Sequence, residues 1–339
     1  MGGTLVVAAN DSPAGVFSPV VIYSTDGTNW NRANTDGADF ANVRLDFLFE
    51  VAGGLLLEGE STLPDPLCAG GEGSICNAVP ATLMWRSTDG RAWHPLTAAA
   101  LAPFHRVAIY SMAGGRAGLV AFGHRMPVEG NGTSLVLHST DGASWGVADF
   151  PDQGFMVEQP ITTSGGFVAL GTTYPEPPSA GGVQPTAGPD PAAWYSSDGV
   201  KWTRAAMSMA SAVNPDHGAW YPAAGASGFA ATDTSISPPV TWLVSADGRA
   251  WNSADAFPST SGSTWLAGDG NEILVVSGPS VYWSQDGRTW QGGVSTPPMP
   301  NTASSSGLFQ RVSPAWIFGS MVIAEGDING LYVGRVAVR

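Results

Sequence analysis

Positive charge is scarce in this chain: fourteen lysine and arginine residues in 339, against twenty-eight aspartate and glutamate, leave a formal net charge of −14. Such a surface repels phosphate backbones and anionic headgroups, which argues against nucleic acid as a partner. Lysine is reduced to Lys201. No apolar run approaches the roughly eighteen residues a membrane-spanning helix needs, so no membrane span is expected. Cysteine is nearly absent too, with Cys68 and Cys76 alone, eight positions apart in a glycine-rich segment. That spacing lets the chain reverse and bring the two Cβ atoms together, as a disulfide requires. A metal site would want further ligands, and neither histidine nor a third cysteine lies nearby, so no metal is expected there. The pair reads as a loop-stapling disulfide, with two free thiols as the alternative. With the lysine scarcity, it points to an extracellular or periplasmic protein. Met1-Gly2-Gly3 leads straight into Thr4-Leu5-Val6-Val7-Ala8 without a leader's charged and apolar regions, so a mature chain is expected.

Hydrophobic residues are plentiful at 43%, and forty-four glycines and twenty-six prolines punctuate them. This is the composition of many short strands joined by tight turns, and all-β domains often run to this length as one unit spanning 1–339. A repeat decides the arrangement. Ser24-Thr25-Asp26-Gly27-Thr28-Asn29-Trp30 recurs with Ser, Asp, Gly and Trp fixed, its aspartates being Asp26, Asp89, Asp141, Asp198, Asp247 and Asp286. The tryptophans, from Trp30 to Trp290, are separated by 63, 52, 57, 49 and 39 residues, a period that fits a four-stranded blade with variable loops. Asp-Gly between two strands is a hairpin signal, with glycine taking the positive φ. Aspartate and serine can tie the turn's backbone, and tryptophan can fold back into the space between blades. The six boxes are therefore read as structural.

A second block precedes each box, clearest in Gly53 to Gly59, Ala117 to Gly123 and Gly165 to Gly171, with weaker copies that bring the count to seven. Short apolar runs between glycines read as strands buried on both faces. Upstream, Phe40-x-x-Val43, Phe104-x-x-Val107 and Phe309-x-x-Val312 open another strand. Each blade thus runs A (Phe-x-x-Val), B (the glycine-bounded run), C (into the box) and D (leaving tryptophan). The expected fold is an all-β β-propeller of seven four-stranded blades, with six as the alternative. The first blade lacks its A strand and the last its D strand.

The boxes resemble the Asp-box (bacterial neuraminidase, BNR-like) repeats of sialidase-like propellers, in a shortened form without a spacer between Asp and Gly, similar to that of many secreted bacterial propellers. The resemblance covers essentially the whole chain and implies the fold more than an activity. Sialidase activity would imply three arginines on a substrate carboxylate, a Tyr–Glu nucleophile pair and an aspartic acid donor. No early Arg-Ile-Pro-like motif is present, and Tyr110, Tyr221 and Tyr282 have no matching context.

The long variable connections are B–C loops, at 10–19, 60–81, 124–134, 172–192 and 232–240, and loops on a rigid scaffold commonly carry binding. Arg106 and Arg311 hold equivalent places at the start of an A strand, with Asn42 matching and Arg44 two residues beyond. Guanidinium forks grip carboxylates, and His105, Asp46 and Glu158 could move protons beside them. The competing reading pairs these arginines with local acids. Asp327-Ile328-Asn329-Gly330 is half of a calcium-loop pattern and reads as a turn. Asn10 and Asn131 head glycosylation sequons. No cofactor motif is recognisable. The leading functional expectation is a secreted binding or scaffold protein recognising a glycan, peptide or protein through the long-loop face. The alternative is a carbohydrate-active enzyme with a site in the central funnel.

Overall fold

The computed structural model describes residues 4–11, 18–37, 40, 42–64, 80–115, 117–126, 132–174, 190–208, 220–233, 242–254, 264–268, 270–277, 280–295, 316–318, 321–326 and 330–335. Cys68, Cys76, Arg311 and Asn131 lie outside these residues, as do most of the B–C loops. Within them the chain forms seven successive sheets whose strands follow one another across each sheet, save for one added edge strand in the fifth. The protein is an all-β β-propeller.

Sheet 1 holds strands B (Leu5–Asp11), C (Ser18–Ser24) and D (Asn31–Arg32). Sheet 2 is complete, with A (Val43–Val51), B (Gly54–Pro64), C (Pro80–Ser87) and D (His94–Pro95). Sheet 3 repeats it with Val107–Gly115, Gly118–Arg125, Thr133–Ser139 and Gly146–Val147. Sheet 4 begins with Phe155–Thr163 and Gly166–Thr173 and continues through Asp190–Ser196 and Thr203–Arg204. Sheet 5 gains a fifth strand, Ala206–Ser208, which pairs in parallel with its D strand Ala250–Ser253. Its other strands are Trp220–Ala224, Phe229–Asp233 and Trp242–Ser245. Sheet 6 holds Thr264–Gly268, Ile273–Ser277, Ser280–Ser284 and Gln291–Ser295. Sheet 7 consists of A, B and C strands, Trp316–Phe318, Met321–Gly326 and Gly330–Arg335. The expected incomplete first and last sheets are therefore present among the described residues.

The chain divides into two compact units. The first comprises Met1–Phe167, Thr173–Ala187 and Ser196–Thr203, the second Val168–Thr172, Gly188–Tyr195 and Arg204–Arg339. In the first, Val21 and Ala33 of sheet 1 pack with Leu57, Trp85 and Trp93 of sheet 2. Leu56 and Met84 on the other side of sheet 2 pack with Val107, Leu119 and Leu137 of sheet 3. In the second, Ala223, Ala230 and Trp242 of sheet 5 meet Leu266, Ile273 and Val275 of sheet 6. A sheet sandwiched on both faces needs apolar residues in both phases of its alternation, which is why the B strands are continuous apolar runs. All eight residues of Gly166–Thr173 are buried.

Each box closes in the same way. The serine Oγ accepts the glycine N–H at 2.8–2.9 Å in all six. The aspartate Oδ1 accepts the N–H two residues on, again at 2.8–2.9 Å. The glycines have φ between 72° and 79°, the left-handed region. Those of sheets 2 to 6 also touch the B strand of the preceding sheet: an added Cβ on Gly199 would lie 2.9 Å from Val120 Cγ1, and one on Gly287 2.8 Å from Ala230 Cβ. Four box tryptophans donate Nε1–H to the glycine carbonyl, Trp93, Trp145, Trp202 and Trp251. A feature not visible in the sequence stitches sheets together. After strand D the chain runs parallel to the next box, so Asn34 N–H donates to Arg91 and Asp149 N–H to Val200.

Candidate functional site

The start of strand A is where the described residues gather polar chemistry, and the first unit carries three successive examples. The Phe-x-x-Val motif proves to be an entry to the strand. Phe104 ends a short 3-10 turn, and Arg106 follows with φ 61° before the strand opens at Val107. Asn42 holds the equivalent place with φ 56°. A left-handed non-glycine residue is uncommon, and its recurrence at one place marks a built turn.

The fourth residues of the three A strands are Asp46, Tyr110 and Glu158. In sheets 2 and 3 this residue is a bulge, because the register slips between Leu45 and Phe47 and between Ile109 and Ser111. A bulge re-aims its side chain and leaves backbone groups of its strand without ladder partners. The preceding sheet takes up the free edge. Asn10 of sheet 1 accepts the Leu45 N–H at 2.8 Å and donates to the Leu45 carbonyl at 2.7 Å. Ser111 of sheet 3 donates to the Val157 carbonyl at 2.6 Å. Residues 46 and 158 are thus held by clamps on their neighbours. The Asn10 sequon side chain is committed to this clamp.

In sheet 2 the Arg44 guanidinium donates to Asp46 at 2.8 and 3.2 Å and to Glu60 at 2.8 Å. The local-acid reading is therefore realised at Arg44, whose charge is already matched. The hydrogen bonds to Asp46 raise the affinity of Arg44 for its proton. Beside this trio lies Glu58, 1% exposed, with Oε2 unpartnered among the described residues. Burial first, then the charges of Asp46 and Glu60, push its carboxyl well above the ordinary range, against a smaller opposing pull from Arg44. Glu60 is raised by its partial burial. Among the described residues, no three His, Cys, Asp or Glu side chains come together as metal ligands would.

In sheet 3 the Tyr110 hydroxyl is buried and makes no well-formed hydrogen bond among the described residues. Burial, together with Glu158 and Tyr174 nearby, raises its pKa far beyond the ordinary phenol, so it stays protonated. His124 pairs across the strands with Ala108, as Glu60 pairs with Arg44 in sheet 2. Burial lowers its pKa, so it is a neutral imidazole at pH 7. Tyr174 donates its N–H to the Gly154 carbonyl, and both Tyr174 and nearby Met156 are 37% exposed. One residue farther along sheet 3, an open depression of about 490 Å³ is lined by Ala102, His105, Arg106, Arg125, Met126 and Thr133.

The candidates named from sequence thus separate. Asp46 joins Arg44, Glu158 lies beside Tyr110, and His105 and Arg106 line the depression. Glu58, Glu60, His124, Tyr174 and Arg125 were missed. Strand pairing would have found Glu60 and His124, because each stands opposite the second residue of an A strand. Glu58 lies inside the Gly53–Gly59 run read as buried on both faces, so its burial was implied there without being singled out. The six box aspartates lie in the turns after strand C, and their bonds are the turn bonds described above.

No protein-family profile matches the chain, and no curated protein matches it. Solved structures do. A polysaccharide lyase is similar over 98% of this chain and 88% of its own, at 10% identity and a TM-score of 0.55. An α-L-arabinofuranosidase from Fusarium graminearum matches 89% of this chain and 95% of its own, with 15% identity and a TM-score of 0.46. A Trypanosoma rangeli sialidase matches 86% of this chain and 52% of its own, at 13% identity and a TM-score of 0.43. At these identities the likeness is one of fold. No helix among the described residues is long and apolar enough to cross a membrane.

Proposed function

We propose that the protein is a secreted Asp-box propeller that binds a glycan at the entry of the A strands of sheets 2, 3 and 4. One observation carries this reading: Asp46, Tyr110 and Glu158 stand at one strand position in three sheets, with Asp46 and Glu158 held by inter-sheet clamps on their neighbours. Sugar hydroxyls are recognised by carboxylates and by hydroxyls that both donate and accept. The part-exposed ring of Tyr174 and the side chain of Met156 offer the apolar surface on which a sugar face rests. The fold likeness to a polysaccharide lyase agrees with a glycan ligand without requiring one. The long loops expected to bind stay a proposal of the same kind, since they fall largely outside the described residues.

Binding of neutral and uronic-acid oligosaccharides, measured by isothermal titration, tests the reading. Glu158→Gln and Tyr174→Ala should each weaken a bound oligosaccharide about tenfold or more, with Tm preserved within a few degrees. Wild-type affinity in both variants would sink it.

A second reading has its own observation. A phenol held protonated beside a carboxylate, with a neutral imidazole one strand away, is a set of groups able to move protons. On that reading the protein is a carbohydrate-active enzyme, and Tyr110→Phe should lower kcat on a polysaccharide while leaving KM unchanged.

A further inference from the structure

The residue after the box glycine differs from box to box: Thr28, Arg91, Ala143, Val200, Arg249 and Arg288. Its counterpart across the joint is the residue just before the preceding sheet's box serine. For Arg91 and Arg249 that counterpart is Tyr23 and Tyr195, and the guanidinium groups lie over the two rings, 5.4 and 5.0 Å from their centroids. A guanidinium over the face of a phenol is an attractive pair. Where the preceding sheet carries Arg86 or His138 instead, the box carries Ala143 or Val200. Arginine thus accompanies tyrosine, with one departure: the counterpart of Arg288 is Val244.

At this joint of sheets 5 and 6, both in the second unit, lies an open hollow of about 360 Å³. Trp242 and Val244 of strand C, Asn252 and Ser253 of strand D, and Arg288 and Trp290 of the box line it. Trp290 is half-buried and meets Trp242 edge to face at 5.9 Å, while Arg288 and Asn252 are exposed. Asp286 is occupied by its turn, its Oδ1 accepting the N–H groups of Arg288 and Thr289. Among the described residues no carboxylate pairs with the Arg288 guanidinium. Asn252 stands across the strands from Val244, as Asn31 stands across from Tyr23. The joint therefore keeps the arginine and the asparagine of the first joint and changes the tyrosine alone. The box itself does not require arginine, since three of the six do without it.

We infer that this hollow is a docking seat for a tyrosine side chain of a partner polypeptide. Its ring enters between Arg288 and Asn252, over Val244, and lies under the guanidinium with Trp290 at its edge. In the two sister joints a polypeptide strand delivers the same ring to the same arginine. A sugar has no π face for a guanidinium to grip, so the seat is independent of the glycan reading, whose residues belong to the first unit.

The capped tripeptides N-acetyl-Ser-Tyr-Ser-amide and N-acetyl-Ser-Leu-Ser-amide are titrated into the full chain and followed by the NMR signals of the indole N–H groups, with that of Trp290 assigned through Trp290→Phe. The tyrosine peptide should shift the Trp290 signal, and the leucine peptide should bind about fivefold or more weakly. Arg288→Ala removes an exposed side chain, so Tm should hold while the tyrosine peptide weakens about threefold to tenfold. Val244→Tyr should fill the seat from within, abolish peptide binding and raise Tm, and the gain in Tm should vanish when Arg288→Ala is added. No binding of the tyrosine peptide, equal binding of the leucine peptide, or unchanged binding by Arg288→Ala overturns the seat, whatever Val244→Tyr does to folding. A neutral oligosaccharide that moves the Trp290 signal where the tyrosine peptide does not makes the hollow a sugar subsite and also overturns it. Glu158→Gln should leave the peptide affinity as in wild type, so failure of the glycan reading and failure of this seat are told apart.

Discussion

Asp141 shows how one carboxylate organises a turn. Its Oδ1 accepts the N–H groups of Ala143 and Ser144 at 2.8 and 2.9 Å, and those bonds hold its pKa below the ordinary range. Trp145, three residues after the glycine, meets Phe104 edge to face at 4.9 Å. Asp141→Ala should cost about 1 kcal/mol, as the loss of a helix-capping carboxylate does, and chemical denaturation measures it. Glycan affinity in the folded fraction should not change; altered affinity at unchanged stability would give the box a binding role. The sequence made these roles readable because the bonds join residues two and three apart. Arg44 was less readable, since its partner Glu60 is sixteen positions away and becomes a neighbour through strand pairing.

At the scale of the element, the box glycine meets two demands. Gly199 holds φ 75°, and the space its Cβ would take is filled by Val120 and Phe167. Gly199→Ala therefore combines a strained backbone with overpacking, for a loss of about 1–3 kcal/mol. Gly165→Ala is a fitting control, because an added Cβ there comes no nearer than 3.8 Å to the Thr163 hydroxyl. Thermal melts should rank Gly199→Ala well below Gly165→Ala; equal losses would mean that the box does not press on the preceding sheet. The strand order was legible because turn chemistry and apolar runs are local signals. The bulges at Asp46 and Tyr110 were not, because a register slip depends on which strand lies alongside. With the bulges hidden, the shared level of Asp46, Tyr110 and Glu158 was hidden too. The parallel stitch after strand D escaped for the same reason.

Over the whole molecule, two sets of carboxyls pull stability in opposite directions with pH. Asp26, Asp89, Asp141, Asp198 and Asp286 have depressed pKa values, chiefly because backbone N–H groups of their turns bind the charged form; in Asp286 partial burial opposes this and loses. A depressed group gives its stability above its unfolded pKa, about 4, and loses it as pH falls from there through the folded value. Glu58 and Glu60 are raised by burial, so the folded state holds their protons longer than the unfolded chain does. Their contribution is fully present below the unfolded value, about 4.3, and declines as pH rises through the folded values. The net charge of −14 adds repulsion on the same alkaline side and relaxes as carboxylates are protonated. Stability should therefore peak at about pH 5, falling steeply toward pH 3 and gently toward pH 8. Glu58→Gln keeps the shape of the side chain and removes its titration. It should flatten the alkaline limb and raise Tm at pH 8 more than at pH 5, while the acid limb stays as in wild type. Thermal melts of both proteins from pH 3 to pH 9 decide the matter. A wild-type Tm that climbs steadily to pH 8, or a Glu58→Gln variant that tracks wild type across the range, would show that Glu58 does not fold into the buried, proton-holding place described for it.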